Sequence, residues 1–363
     1  MTVSDSAVLD ALRAVTDPNT GKDFVSTRQL KNLTVTDGDV AFDVELGYPA
    51  KSQIPALRRA LVAAARTVPG VANVSANISF RVIAHAVQRG VQLLPNVKNI
   101  VAVASGKGGV GKSTTAANLA LALAAEGARV GLLDADIYGP SQPMMMGIDR
   151  RPESADGQTM EPLENYGVQV MSIGFLVDKD EAMIWRGPMA TQALEQLLRQ
   201  TNWNDLDYLI VDMPPGTGDI QLTLSQRVPM TGAVIVTTPQ DIALLDAKKG
   251  VRMFEKVGVP ILGVVENMAM HVCSHCGHVE HIFGADGGRQ MAEQYQTDYL
   301  GALPLDIRIR EQADSGRPTV VADPDGDVAG IYKTVARQVA VKIAARAKDF
   351  SGKFPTITIS KDT

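Results

Sequence analysis

The chain is poor in cysteine and lacks a long apolar run, and each shortage excludes a class of protein. Only Cys273 and Cys276 occur among 363 residues. Their spacing is poor for a structural disulfide, so the pair favours metal or redox chemistry. No apolar run approaches the roughly 20 residues that a membrane-spanning helix needs. The N-terminus also lacks the basic start and apolar core of a signal peptide, so we expect a cytoplasmic protein.

A strong excess of one charge is missing as well. The net charge is −5, which argues against a general nucleic-acid or anionic-membrane binder. An apolar fraction of 45% and a charged fraction of 21% are ordinary for a globular protein. The length suggests two domains, and no internal repeat is evident.

Hydrophobic periodicity divides the chain unequally. Before residue 90, two stretches have helical spacing and two alternate like half-buried strands, which predicts a sheet with one face buried under two helices. The domains that we predict are a small α+β domain at 1–90, a linker at 91–98, an ATPase domain at 99–350 and a polar tail at 351–363.

A complete phosphate-binding motif lies between a predicted strand, 100–104, and a predicted helix, 115–126. Its glycines let backbone N–H groups turn toward phosphate oxygens, and the helix N-terminus favours the same anion. We expect Lys112 to reach the β- and γ-phosphates of ATP and the Ser113 hydroxyl to ligate Mg²⁺. The predicted nucleotide-binding residues of this loop are Gly106, Lys107, Gly108, Gly109, Val110, Gly111, Lys112, Ser113 and Thr114.

Apolar strand candidates recur after the motif and alternate with helices, which predicts an α/β fold with a doubly wound, mostly parallel sheet. Ligands of such sheets bind at the carboxyl ends of the strands, where Asp136 and Asp212 lie. We assign Asp212 to Mg²⁺ through a water, and Asp136 to the attacking water. Asp134 would fix the local loop and contact the P-loop. A turn or a helix cap is the alternative for each of these aspartates.

Several motifs together resemble the Mrp/ApbC/Nbp family of iron–sulfur cluster carrier ATPases. They are DADIYGPSQP at 134–143, WRGPM at 185–189, LDYLIVDMPPGTGD at 206–219 and the later cysteine pair. Lys107, a second lysine early in the P-loop, is shared with MinD, ParA and the nitrogenase iron protein. Residues 1–90 resemble a MIP18-type domain through Thr16-Asp17-Pro18 and Asp23-Phe24-Val25-Ser26, and we interpret this domain as an adaptor or a structural unit because it has no cysteine.

The resemblance implies roles for individual residues. Lys107 would reach a phosphate in the facing subunit of a homodimer, so that nucleotide binding and dimerisation become one event. Lys107, Lys112 and Asp136 are then the catalytic residues. Asn267 follows a strand where related ATPases place an adenine contact, and a turn asparagine is the alternative. The resemblance gives no physical role to Arg186.

Residues 270–281 hold both cysteines and four of the five histidines. Two thiolates cannot close a four-coordinate site. Cys273 and Cys276 could bind Zn²⁺ with His278 and His281, or two copies of the cysteine pair could supply the four thiolates of a [4Fe–4S] cluster. A redox pair without metal is the third possibility. The family resemblance implies the shared cluster, with cysteine ligands alone.

We therefore predict a slow ATPase, a homodimer that uses ATP and Mg²⁺ and carries a [4Fe–4S] cluster from cluster donors to apoproteins. It would bind no nucleic acid and associate with no membrane stably. The rival prediction is a MinD/ParA-like positioning ATPase with a structural zinc site, which needs ATP-dependent membrane or DNA binding. The basic helix predicted at 331–348 lacks Trp and Leu on its apolar side, which favours packing on the sheet over membrane binding.

Overall fold

The computed structural model describes residues 3–88, 90–177, 187–273 and 275–346, and it forms two main sheets of different construction. The predicted tail at 351–363 lies outside the described residues, as do Trp185 and Arg186 of the WRGPM motif. In the described part of the chain, no helix combines the length and the apolar character that crossing a bilayer requires.

The first sheet belongs to the N-terminal region and has three strands. Its elements are α1 (Asp5–Arg13), β1 (Leu30–Thr36), β2 (Asp39–Leu46), α2 (Ile54–Ala65) and β3 (Asn73–Phe80). Strands β1 and β2 are antiparallel, whereas β2 and β3 are parallel and are joined through α2. The alternating apolar residues of β2 are buried, as the period of two predicts.

Asp17 belongs to one of the motifs on which the resemblance to a MIP18-type domain rests. It is fully buried and accepts several hydrogen bonds. Its carboxylate accepts hydrogen bonds from the Tyr48 hydroxyl at 2.7 Å and from the backbone N–H of Asn19 at 2.9 Å. The Asn19 amide in turn donates to Gln53 at 2.6 Å. Because a buried carboxylate needs such donors, Asp17 has a structural role that accounts for its position in the motif.

After the N-terminal region the chain forms a large sheet of eight strands and a separate hairpin of two strands, β11 and β12. The remaining strands are β4 (Val97–Ala104), β5 (Val130–Asp134), β6 (Leu163–Asn165), β7 (Val168–Ser172), β8 (Leu206–Asp212), β9 (Gly232–Thr237), β10 (Ile261–Glu266), β11 (His271–Val272), β12 (Val279–Glu280) and β13 (Tyr299–Ala302). The order in the large sheet is β13-β10-β9-β4-β8-β5-β7-β6, and only the β6–β7 pair is antiparallel.

Helices pack on this sheet in two rows. They are α3 (Lys112–Ala125), α4 (Gln142–Met145), α5 (Gly187–Arg199), α6 (Asp219–Arg227), α7 (Asp241–Lys256), α8 (Gly287–Gln294), α9 (Ile307–Asp314), α10 (Thr319–Ala322) and α11 (Asp327–Ala344). Helices α3, α10 and α11 pack together, and α5 to α8 form the other row. The prediction of a doubly wound, mostly parallel sheet is therefore confirmed.

Three strands of the large sheet were not predicted. Strands β6, β7 and β13 are short, and β13 contains Gly301, so their hydrophobic patterns are weak. The basic helix α11 begins at Asp327 and packs against α3, burying among others Val335, Val339 and Ile343. The packing prediction for this helix is correct over the residues that the structure describes.

A buried cluster around Glu126 joins the N-terminal region to two helices that pack on the large sheet. Glu126 directly follows α3, its side chain is 1% exposed, and its carboxylate accepts a hydrogen bond from Arg337 of α11 at 2.5 Å. The same carboxylate accepts from the backbone N–H and the hydroxyl of Ser52, at 2.9 and 2.6 Å. Helix α3 therefore begins in the P-loop, and the residue that follows it contacts the N-terminal region.

We expect Glu126→Ala to lower the free energy of unfolding by about 3 kcal/mol, because the substitution leaves Arg337 buried without its counter-charge. The measurement is urea unfolding followed by fluorescence. Glu45→Ala is the matched control, since Glu45 pairs with Lys31 at the surface and such pairs contribute about 1 kcal/mol or less. Equal effects of the two substitutions would contradict the prediction.

Candidate nucleotide site and cysteine hairpin

The P-loop joins β4 to α3 in the conformation that its glycines permit. Gly109 and Gly111 have φ of 81° and 82°, in the left-handed region. A Cβ on Gly106 would lie 2.1 Å from the carbonyl carbon of Asp246, so helix α7 packs directly on the loop. The loop is therefore shaped by close backbone approach as well as by turn geometry.

Lys112 is buried at the start of α3 and lies among acidic side chains. Its ammonium forms an ion pair with Asp212, lies 3.9 Å from the carboxylate of Asp136, and donates to the Ser113 hydroxyl at 3.1 Å. The structure thus brings together four residues that the sequence analysis assigned to phosphate, Mg²⁺ and the attacking water. One ammonium lies against two carboxylates, so a phosphate must compete with Asp212 for the lysine.

The carboxylates of Asp134, the last residue of β5, and of Asp136, two residues later, have raised pKa values. Burial, followed by repulsion from Asp212, raises the pKa of Asp134 to about 7. Asp134 accepts hydrogen bonds from the Ser172 hydroxyl at 3.0 Å and from the backbone N–H of Asp136 at 3.2 Å, contacts that fix the loop. Burial also raises the pKa of Asp136, against the opposing effect of Lys112.

Gln142 is a site residue that the sequence analysis missed. It is 0% exposed, and its side-chain amide donates to Asp212 at 2.9 Å and to the backbone carbonyl of Ser113 at 3.0 Å. Its own backbone N–H donates to Asp134 at 3.1 Å. The only available signal was its position inside the DADIYGPSQP motif, which does not reveal these contacts.

Asn267 lies on the other side of the P-loop. Its side-chain amide donates to the carbonyl of Val110 at 2.8 Å, and a Cβ on Gly111 would collide with that amide at 2.1 Å. Beside it is a cavity of about 350 Å³, whose walls include Thr114, Met268 and Leu305. The position next to the P-loop suits a base contact, although one amide proton is already engaged with the loop.

Lys107 lies at the start of the P-loop and is partly exposed. The Ser105 hydroxyl donates to its backbone carbonyl at 2.8 Å, which fixes this part of the loop. On the adjoining helix α7, Ile242 and Leu245 are 68% and 60% exposed. An exposed apolar pair beside the phosphate-binding loop is the kind of surface that a partner protein covers.

The two cysteines lie on a short hairpin made of β11 and β12. The hairpin turn is closed by the backbone N–H of Cys273, which donates to the carbonyl of His278 at 2.9 Å, and by that of Gly277, which donates to the carbonyl of Cys273 at 2.9 Å. Cys273 is partly buried and Cys276 is exposed. Backbone N–H groups, first of Cys276 and then of His275, point at the Cys273 sulfur and lower the pKa of its thiol.

Two of the histidines near the cysteines contact backbone carbonyl groups through their rings. Nδ1 of His271 lies 3.0 Å from the carbonyl of Leu305, and Nδ1 of His281 lies 2.8 Å from that of Ala269. Among the described residues, which omit Ser274, no three His, Cys, Asp or Glu side chains lie close enough to hold one metal ion.

The hairpin and the cavity beside Asn267 share a structural element. The backbone N–H of Leu305 donates to the carbonyl of Met270 at 2.7 Å, and Leu305 also contributes to the cavity wall. His271, the first residue of β11, contacts the same leucine. The cysteine pair is therefore anchored to the wall of the cavity that adjoins the P-loop.

Comparison with known proteins gives matches for both regions. Residues 96–340 match the ParA family model described as NUBPL iron-transfer P-loop NTPase, and residues 5–76 match the model described as iron-sulfur cluster assembly protein. An iron-sulfur cluster carrier protein from Pseudomonas fragi is 62% identical over 269 residues, which are 74% of this chain and 94% of that protein. One of the same name from Synechocystis sp. is 43% identical over 350 residues, covering 95% and 99% of the two chains.

A solved structure agrees with these matches. The nucleotide-binding protein of Archaeoglobus fulgidus in complex with ADP is 36% identical, with a TM-score of 0.56, and the match covers 64% of this chain and 90% of that one. The resemblance that the motifs indicated, in the ATPase region and in the N-terminal region, is confirmed. From residue 96 to residue 340, this chain belongs to the ParA family of NUBPL iron-transfer P-loop NTPases.

Proposed function

We propose that this protein is an ATP-hydrolysing carrier that holds a [4Fe–4S] cluster between the cysteine pairs of two copies and passes it to apoproteins. The observation that carries the proposal is the hairpin with two thiols, one of them exposed, which is anchored on Leu305 in the wall of the cavity beside the P-loop. The relatives from Pseudomonas fragi and Synechocystis sp. are named iron-sulfur cluster carrier proteins, which supports this cargo.

The need for a second copy follows from ligand number. A [4Fe–4S] cluster takes four thiolates, and this chain has only Cys273 and Cys276. A two-fold axis beside the hairpin would bring two pairs together, and symmetric dimers are the commonest oligomers. The lowered pKa of Cys273 favours the thiolate that binds iron. A cluster at an exposed hairpin could also be reached by a recipient protein.

The nucleotide site suits ATP hydrolysis as a switch. Ser113 and Asp212 offer the oxygen donors that Mg²⁺ prefers, and both already contact Lys112. When bound, Mg²⁺ would offset the charge of the phosphates. Lys112 must exchange Asp212 for a phosphate, and Asp136 lies close enough to that lysine to act on a water near the γ-phosphate. Such a rearrangement suits slow, regulated hydrolysis more than rapid turnover.

Anaerobic reconstitution of the protein with iron and sulfide tests the proposal. We expect a thiolate-to-iron charge-transfer band, and about two iron and two sulfide per chain in a species of dimer mass. Transfer to an apoprotein would then restore that protein's cluster. Stoichiometric zinc that resists replacement, together with ATP-dependent sedimentation on liposomes or DNA, would overturn the proposal in favour of a positioning ATPase.

The dimer also predicts a role for the exposed apolar pair on α7. We expect Leu245→Asp to prevent the ATP-dependent increase in mass, because a charge would be buried against the partner beside the phosphate-binding loops. Light scattering coupled to size exclusion, with and without ATP, measures the effect. Leu93→Asp is the matched control, since Leu93 is 42% exposed in the linker. If Leu245→Asp dimerises like the parent protein, this helix does not belong to the interface.

A further inference from the structure

Gln142 occupies a point where three parts of the nucleotide site meet. Its side-chain amide has two protons, and both have acceptors: the Asp212 carboxylate at the end of β8 and the Ser113 carbonyl in the first turn of α3. Its backbone N–H holds Asp134, at the end of β5. One residue therefore ties the loop after β5 to the Asp212 carboxylate and to the backbone of Ser113, the two residues that we assign to Mg²⁺.

The two oxygens of Asp212 have different side-chain partners. Oδ1 accepts from Lys112, and Oδ2 accepts from Gln142 at 2.9 Å. When Lys112 moves to a phosphate, the hydrogen bond from Gln142 can persist, because the amide is also anchored on the P-loop backbone. Since Gln142 is neutral, it fixes the direction of the carboxylate without reducing the negative charge that attracts a cation.

The amide oxygen of Gln142 supplies a second observation. In the described part of the chain it is buried and has no hydrogen-bond donor. A buried acceptor without a donor costs free energy, and a water bound to Mg²⁺ would be a suitable donor. The amide nitrogen of Gln142 thus holds Asp212, and the amide oxygen remains able to accept a hydrogen bond from such a water.

We propose that Gln142 is a positioning residue that keeps Asp212 directed at Mg²⁺ after Lys112 has moved to the phosphates. The inference rests on the proposed function, because it requires that the P-loop binds ATP with Mg²⁺. It adds a residue to the site and links the loop after β5 to metal binding. A displacement of that loop on nucleotide exchange would shift the amide and weaken the hold on Asp212.

The test is a Mg²⁺ titration of the binding of a fluorescent ATP analogue, at equilibrium and without turnover. We expect Gln142→Leu, which keeps the bulk and removes the amide, to raise the half-saturating Mg²⁺ concentration by about tenfold. The loss of the hydrogen bond to the Ser113 carbonyl should change the affinity for the analogue without Mg²⁺ by less than it shifts the Mg²⁺ midpoint. Gln142→Asn, which keeps an amide that is one methylene too short, should give an intermediate value, and it also serves if Gln142→Leu does not fold.

Gln169→Leu is the matched control. Gln169 lies on strand β7, and its side-chain amide makes two hydrogen bonds with the backbone of Asn204, at 3.1 and 3.0 Å. A merely structural role for Gln142 would lower the melting temperature as the control does and leave the Mg²⁺ midpoint unmoved, which would overturn the inference. If the parent protein itself showed no Mg²⁺-dependent binding of the analogue, the proposed function would fail first, and the two failures are thereby distinguishable.

Discussion

Replacement of Cys273 by serine is expected to abolish cluster binding while nucleotide binding persists. Each copy contributes two sulfurs to the proposed cluster, so one substitution removes two of the four ligands from a symmetric dimer. A serine hydroxyl at neutral pH is a poor substitute for a thiolate that binds iron. Iron and sulfide per chain, measured after anaerobic reconstitution, should fall to background. The affinity for ATP should be that of the parent protein, since the backbone of Met270 and the ring of His271 hold the hairpin to Leu305 of the cavity wall, and the substitution changes neither.

His278→Ala distinguishes the cluster from the zinc alternative. His278 is 68% exposed, and its ring lies 4.0 Å from the Glu280 carboxylate, so its removal should disturb the fold little. If the cysteines of two copies hold the cluster, the variant retains the iron content of the parent. If one chain binds zinc through two cysteines and two histidines, the variant loses its metal. Loss of iron in His278→Ala would therefore contradict the ligand set that we propose.

The local parts of the fold could be predicted because their causes are local. A β-branched strand, a glycine-rich turn and an Ala/Leu-rich helix are each encoded within a few residues, so the P-loop was predictable from 100–126. The position of Asp212 at the end of a buried strand could be predicted for the same reason, since an apolar run followed by an acid is visible in the sequence alone. In the sheet, Asp134 and Asp212 are register partners, which places the strand-end acids together as the parallel topology implies.

The contacts that depend on distant segments were not predictable. The hydrogen bond from Gln142 to Asp212 joins residues 70 positions apart, and it needs both the order of β5 and β8 and the path of the loop between them. The pair of Glu126 and Arg337 spans 211 positions. Asn267 was expected to contact a base, which remains a prediction; what the structure shows is that its amide holds the P-loop, because the end of β10 approaches Gly111 closely. The hydrophobic periodicity of the sequence does not predict these contacts between distant segments.

Replacement of Lys112 by alanine is expected to reduce ATP hydrolysis on the order of a hundredfold or more, because a cation directed at the developing charge of the phosphates is lost. The substitution also leaves Asp212 and Asp136 without the ammonium that now lies between them. We therefore expect weaker ATP binding, and a free energy of unfolding lower by about 3 kcal/mol. Phosphate release, nucleotide titration and urea unfolding measure the three effects.

Two comparisons separate the role of Lys112 in catalysis from its role in folding. Lys249→Ala removes a lysine whose side chain is 67% exposed and pairs with Asp246 at the surface, so hydrolysis and stability should both stay near those of the parent. Cluster assembly in Lys112→Ala should persist, since the cysteine hairpin neither contains nor contacts this lysine among the interactions described. A destabilised fold would lose both activities together. Hydrolysis that survives Lys112→Ala in protein free of contaminating ATPases would mean that this P-loop does not hold the reacting phosphates.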